Sequence, residues 1–186
     1  MKFVLSTSFT PIDQLMALAP VAEASGWEAL TVSDHVVHPQ SISTPYPYTE
    51  DGARRWDAFT EWPDPWVLIG AMAAVTKTIR FTNNVFVLPM RNPFLVAKAV
   101  STAAVISDNR VTLTIGMGWS RDEFELMEQP FDRRGRRADE MVEVMRKLWR
   151  GGWVRLLWCR ALECQTSNLT EFQSGCPCQT TLRRNR

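Results

Sequence analysis

The sequence predicts an α/β fold built on a parallel sheet, and three observations carry that prediction. Short apolar, β-favouring runs alternate with longer helical segments four times within residues 1–150. Three helix starts pair a capping residue with proline: Thr10-Pro11, Asp64-Pro65 and Asn92-Pro93. Proline lacks an N–H that the first helical turn would leave unpaired anyway. The last helical segment, about Arg136–Arg150, carries Met141, Val144, Met145 and Leu148 at i, i+3, i+4 and i+7, one face of a 3.6-residue period. Four β-then-α units in succession imply parallel strands covered by helices.

The elements follow in order. Phe3–Thr7 is the first strand. Thr10 caps a helix running to about Ser25, with Asp13 at its positive end and Gly26 suited to a left-handed exit. Ala29–Val32 is the second strand. A connection over 34–62 is far longer than the usual 4–6 residues, so it is either functional or disordered. Its aromatics Tyr46, Tyr48, Trp56, Phe59 and Trp62 argue against disorder. The next helix spans Asp64-Pro65 to about Thr76, and Ile79–Leu88 is the third strand. A helix from Asn92-Pro93 to about Ser107 and a fourth strand, Val111–Ile115, lead into Gly116-Met117-Gly118-Trp119. This alternation alone does not separate an open, doubly wound sheet from a barrel. The first turn, Ser6-Thr7-Ser8-Phe9-Thr10, has no glycine fingerprint, which excludes a dinucleotide-binding Rossmann unit.

Composition narrows the function classes. Apolar residues make up 45% and charged residues 22% of the 186 residues, an ordinary globular balance. A net charge of +1 offers no basic field for nucleic acid or an anionic membrane. No apolar run approaches the roughly 20 residues that span a bilayer. The N-terminus turns polar too early for a secretory signal, so a cytoplasmic protein is expected. Residues 1–150 carry 16 basic and 18 acidic side chains, whereas 151–186 carry five and two. All four cysteines, Cys159, Cys164, Cys176 and Cys178, fall in that second stretch. The chain thus divides into an α/β segment, 1–150, and a tail, 151–186, expected to be irregular. The cysteine spacing is not the paired Cys-x2-Cys pattern of zinc modules, so no metal is expected.

One ordered set of short motifs carries a resemblance. Val32-Ser33-Asp34-His35, Asp64-Pro65-Trp66, Ile79-Arg80-Phe81 through Leu88-Pro89, Asn92-Pro93 and Gly116-Met117-Gly118-Trp119 resemble the luciferase-like monooxygenases. The Arg133-Arg134-Gly135 turn and the helix ending Leu148-Trp149 extend the likeness to about residue 153. Ser-Asp-His after the second strand looks like the branch that uses the deazaflavin coenzyme F420.

The resemblance implies a (β/α)8 TIM barrel with its site at the C-terminal ends of the strands. It implies hydride transfer between F420 and a small organic substrate. An FMN-dependent monooxygenase of the same superfamily is the alternative, and an inactive remnant is a third reading. His35 would line the reactive centre as a proton acceptor; the plain alternative is a polar loop residue. Asp34 would orient a neighbour or bond the cofactor, or else cap a loop. Asn84–Val85 would be a non-prolyl cis peptide beneath the cofactor ring; the alternative is plain strand. Gly116 and Gly118 would let backbone approach a ligand. Trp119 stands where some F420-dependent members place a carboxylate acid, and Glu123 is the nearby substitute. Trp119 itself either walls the substrate pocket or sits in the core. Arg133, Arg134, Arg136 and Arg137 suggest phosphate contact or a solvated helix entry.

A (β/α)8 barrel needs about 250 residues. After Gly151-Gly152-Trp153 the likeness is lost, and a frameshifted or truncated gene product is the expectation for the tail. Only about the first four βα units would be present. Open edges at the first and fourth strands would then favour pairing with another copy, aggregation or a partly molten state. The protein, if folded, is expected to be a homo-oligomer.

Overall fold

The computed structural model of the protein describes residues 1–151, 154–156, 162–164 and 181–182. Within them β1 (Val4–Ser6) leads through α1 (Ile12–Ala24) to β2 (Ala29–Val32). After the long loop, α2 (Pro65–Ala74) leads to β3 (Arg80–Asn83) and β4 (Phe86–Val87). A 3-10 turn over Leu88–Met90 and α3 (Pro93–Ile106) return the chain to β5 (Val111–Thr112) and β6 (Thr114–Gly116). Then come α4 (Arg121–Leu126) and α5 (Arg134–Trp149).

The sequence anticipated three helix starts, and the details separate them. Asp64 and Asn92 cap α2 and α3, each side chain accepting two backbone N–H groups of the first turn. Thr10 does not cap α1; Pro11 occupies that position and no side chain caps the helix. Pro11 pre-sets the backbone there without supplying an acceptor. At the other end, Gly26 adopts φ 79° while Trp27 N–H donates to Ala22 O, the expected left-handed exit.

The third strand is broken where one continuous run was expected. The backbone pairs as β3, turns through the cis peptide Asn84–Val85, and pairs again as β4. The sheets follow suit: β1-β2-β3-β5 form one parallel sheet, while β4 and β6 pair in a second with β9 (Thr181–Leu182). Strand order in the main sheet follows chain order without reversal, so there is no topological switch point. Leu30, Val32, Phe81, Val111, Leu113 and Ile115 all join the core shared with α1, α2, α3 and α5. The helices therefore cover one face, as in a singly wound barrel rather than a doubly wound sheet.

Alternation along each strand assigns the opposite face to Ser6, Thr31, Thr82, Thr112 and Thr114. Register places Ser6 beside Thr31, Thr31 beside Thr82 and Thr82 beside Thr112. The Thr82 and Thr114 hydroxyls bond at 2.7 Å. This face is lined with hydroxyls where a closed barrel usually packs branched aliphatics.

Arg110 stitches the helical layer to the sheet. It is buried and donates to the carbonyls of Ala73, Thr76, Ile79 and Ser107 and to Thr76 Oγ1. Glu23 does the same at the turn before β3, accepting the N–H groups of Lys77, Thr78 and Ile79. Those donors hold its carboxyl down at about 2, Ile79 contributing most.

In the tail, β7 (Val154–Leu156) and β8 (Leu162–Cys164) pair antiparallel, and β9 lies parallel to β6. Cys159, Cys176 and Cys178 lie outside the described residues, as does most of the stretch expected to be irregular. Among the described residues no helix is long and apolar enough to cross a membrane.

Candidate functional site

Strands β1, β2 and β3 of the main sheet and β6 of the second all deliver their C-terminal ends to one side of the molecule, and the chemistry-bearing residues gather there. Ser33, Asp34 and His35 follow β2 directly. Asp34 is buried, and both of its oxygens are occupied: Val87 N–H donates to Oδ2 at 2.8 Å and Arg91 Nη2 to Oδ1 at 2.6 Å. Burial pushes its carboxyl up from the ordinary carboxylate range, against the opposing pull of Arg91 and the Val87 N–H. The Arg91 guanidinium also lies over the Phe86 ring at 4.3 Å and donates to Val87 O. Asp34 thus fixes β4 and Arg91 behind the site.

His35 is placed differently. Its Nδ1 lies 3.1 Å from Glu123 Oε2, with side-chain exposures of 16% and 5%. Glu123 also accepts Val36 N–H at 3.0 Å. Nε2 of His35 has no hydrogen bond to the described residues. Glu123 sits on α4, an element the sequence reading missed. Ser120 caps that helix and accepts the Glu123 N–H. Ser-x-x-Glu is the spacing of a capping box, which was the available signal. Here the glutamate side chain turns away from its own helix to hold His35. The neighbouring Asp122 accepts from Ser43 N and Oγ, tying the long loop to the same helix.

Aromatic rings surround the imidazole. Trp56 and Trp62 stand 4.7 and 4.9 Å from it, centroid to centroid, and Trp119 stands 6.3 Å away. Tyr46 bridges Trp56 and Trp119 at 5.2 and 5.1 Å. Trp119 is half-buried, between the two readings the sequence left open. The loop aromatics were visible in the sequence as an argument for order. Their convergence on His35 was not, because it depends on how a loop of some thirty residues folds back.

Hydroxyls line the neighbouring strand ends. Ser6 Oγ lies 3.2 Å from Ser8 Oγ, Ser8 bonds Ser33, and Ser33 Oγ donates to Asn84 O at 3.3 Å. Asn84 is exposed at this edge and Val85 half-buried.

The two glycines serve packing. A Cβ on Gly116 would collide with Val85 Cγ2, and one on Gly118, where φ is 75°, would stand 2.6 Å from Val87 Cγ1. The arginine cluster is largely engaged within the fold. Arg134 donates to Gly118 O and Phe131 O, Arg137 to Pro89 O and Arg91 O, and Arg136 pairs with Glu140. Among the described residues no group of His, Cys, Asp and Glu could hold a metal. His38 lies in the loop, and burial lowers its imidazole below the ordinary value.

Comparisons with known proteins bear on the family and the fold. Residues 2–157 match the luciferase-like monooxygenase family. A Mycobacterium tuberculosis protein, itself uncharacterized, is 37% identical over 153 residues, 82% of this chain and 53% of that one. An F420-dependent glucose-6-phosphate dehydrogenase of Mycobacterium avium is 32% identical over 148 residues, 76% of this chain and 39% of its own length. The FMN-bound oxygenating constituent of 3,6-diketocamphane monooxygenase from Pseudomonas putida superposes with a TM-score of 0.68 at 19% identity, covering 93% of this chain and 46% of that one. The chain spans about half the length of the curated relatives it matches.

Proposed function

This chain belongs to the luciferase-like monooxygenase family, and from that premise we propose that its four βα units are the first half of a (β/α)8 barrel that transfers hydride between coenzyme F420 and a small organic substrate. The observation that carries the reading is the His35–Glu123 pair beside the strand ends, with no hydrogen bond to Nε2 of the imidazole among the described residues. A relative named for F420 dependence supports the cofactor, as does Ser33-Asp34-His35.

The residues at this edge fit a flat, polar-edged ring. Ser8, Ser33 and the exposed Asn84 offer hydrogen bonds along one side, Val85 an apolar contact, and Trp119 a wall. When bound, F420 supplies the acceptor or donor for a hydride, and the protein supplies position and proton handling. With a carboxylate at Glu123 accepting Nδ1–H, the basic nitrogen of His35 is Nε2. Nε2 takes the proton of a substrate hydroxyl as the carbonyl forms, and Glu123 balances the imidazolium charge. Glu123 is a positioning residue, since His35 stands between it and the open edge. Asp34 acts one step further back, holding β4 and Arg91. The β1 edge has no strand partner beyond β2 among the described residues, which favours assembly with a second copy.

The test is a fluorescence titration of the purified chain with F420, and with FMN in parallel. Saturable binding of F420 in preference to FMN is expected. Preference for FMN would transfer the chain to the monooxygenase reading. Binding of neither by a folded sample would leave a remnant without catalysis.

A further inference from the structure

We propose that the ring cluster around His35 selects a neutral substrate with a flat, apolar body, such as an aromatic alcohol or its carbonyl counterpart, and not a phosphorylated sugar. The proposal rests on the hydride-transfer reading above for the site, and on the rings for the substrate class. Phe9, Tyr46, Tyr48, Trp56, Trp62 and Trp119 connect to one another and to His35 through centroid separations of 4.7–6.4 Å. A loop held together solely by its own small core would bury its rings. Here none of them is buried, and Phe9 and Tyr48 are 57% and 60% exposed. The rings are therefore only partly covered by the protein. Such surfaces gain most from an apolar, planar partner in offset or edge-on contact.

The cations nearby give the complementary argument. Recognition of a phosphate calls for a guanidinium fork or free ammonium aimed into the site. Arg54 donates to Pro39 O, Arg91 pairs with Asp34, and Arg121 pairs with Asp132. Arg134 and Arg137 are held by backbone carbonyls. Arg55 is exposed to solvent on the long loop. The Glu123 carboxylate, held against His35, repels an anion. Within such a site a hydroxyl carried on an aromatic body would lie against Trp56 and Trp62 with its oxygen at His35 Nε2.

Calorimetric titration of the chain tests this, using 1-phenylethanol, glucose 6-phosphate and choline as probes, each with and without F420. Saturable binding of 1-phenylethanol alone is expected. Trp56→Ala should weaken it about tenfold and Trp56→Phe should restore it to within about twofold. Trp62→Ala, with circular dichroism as a check on folding, provides a second variant should Trp56→Ala fail to fold. Glucose 6-phosphate or choline binding as tightly as 1-phenylethanol overturns the proposal, as does unchanged affinity in both alanine variants. F420 binding without aromatic preference defeats this inference alone. Binding of 1-phenylethanol without F420 binding defeats the cofactor reading and leaves this one standing.

Discussion

Replacing Gly116 by alanine separates two explanations of the turn after β6. If the glycine exists to admit a ligand, alanine leaves stability alone and weakens binding. The structure points instead to packing. The new Cβ would collide with Val85 Cγ2 and stand 3.1 Å from Val85 Cβ, well inside the roughly 3.5–4.0 Å of an ordinary carbon contact. Overpacking of this kind costs about 1–3 kcal/mol. Gly116 does not adopt a positive φ, so alanine recovers about 0.4–1 kcal/mol by restricting the unfolded chain. With so close a collision at the upper end of that cost, the net loss should be about 2–2.5 kcal/mol, lowering the thermal midpoint by roughly 4–10 °C for a domain of this size. Urea denaturation followed by circular dichroism measures it. Val85→Ala removes the offending methyl, so the double variant should be more stable than the sum of the single losses predicts. A Gly116→Ala protein with an unchanged midpoint and reduced F420 affinity would refute the packing argument.

Three further outcomes are expected. Glu23→Gln should destabilise the protein near pH 7. The folded carboxyl is depressed to about 2 from 4.5, so its contribution is present above about pH 4.5 and lost as pH falls toward 2; wild type and variant should converge over that window in acid denaturation. Arg110→Lys replaces a planar five-donor group with three donors, stranding at least two buried acceptors, and should cost about 2–5 kcal/mol in urea midpoints. Glu123→Gln removes the charge that orients His35. It should lower kcat of F420-linked turnover about tenfold to hundredfold with KM nearly unchanged, and a rise in KM at constant kcat would contradict the positioning role.

Local signals were legible where local physics decides the outcome. Asp64-Pro65 and Asn92-Pro93 cap their helices as read, because an Asx side chain followed by proline suffices without outside help. Thr10-Pro11 carries the same pattern, yet Thr10 is one residue too early to cap. Ile79–Leu88 reads as one apolar strand, and apolarity says nothing of the bend at Asn84–Val85 that divides it into β3 and β4. Asp34, His35 and Glu123 could be singled out as residue types in a family pattern. Their pairing could not, since His35 meets Glu123 only when the fold brings α4 against the loop, and Asp34 meets Arg91 only across the β2–β4 junction. The hydroxyl row of Ser6, Ser8 and Ser33 escaped notice for the same reason.

The hydroxyl-lined face of the sheet has a thermal consequence. Heat capacity of unfolding rises with the apolar area exposed and falls with the polar area. A sheet that buries Val, Ile and Leu on both faces would release apolar surface twice over on unfolding. Here Thr31, Thr82, Thr112 and Thr114 occupy the second face, so the increment per residue should be smaller. The stability of these four βα units should therefore vary less steeply with temperature than that of an aliphatic-lined barrel of equal length, and hold up better on cooling.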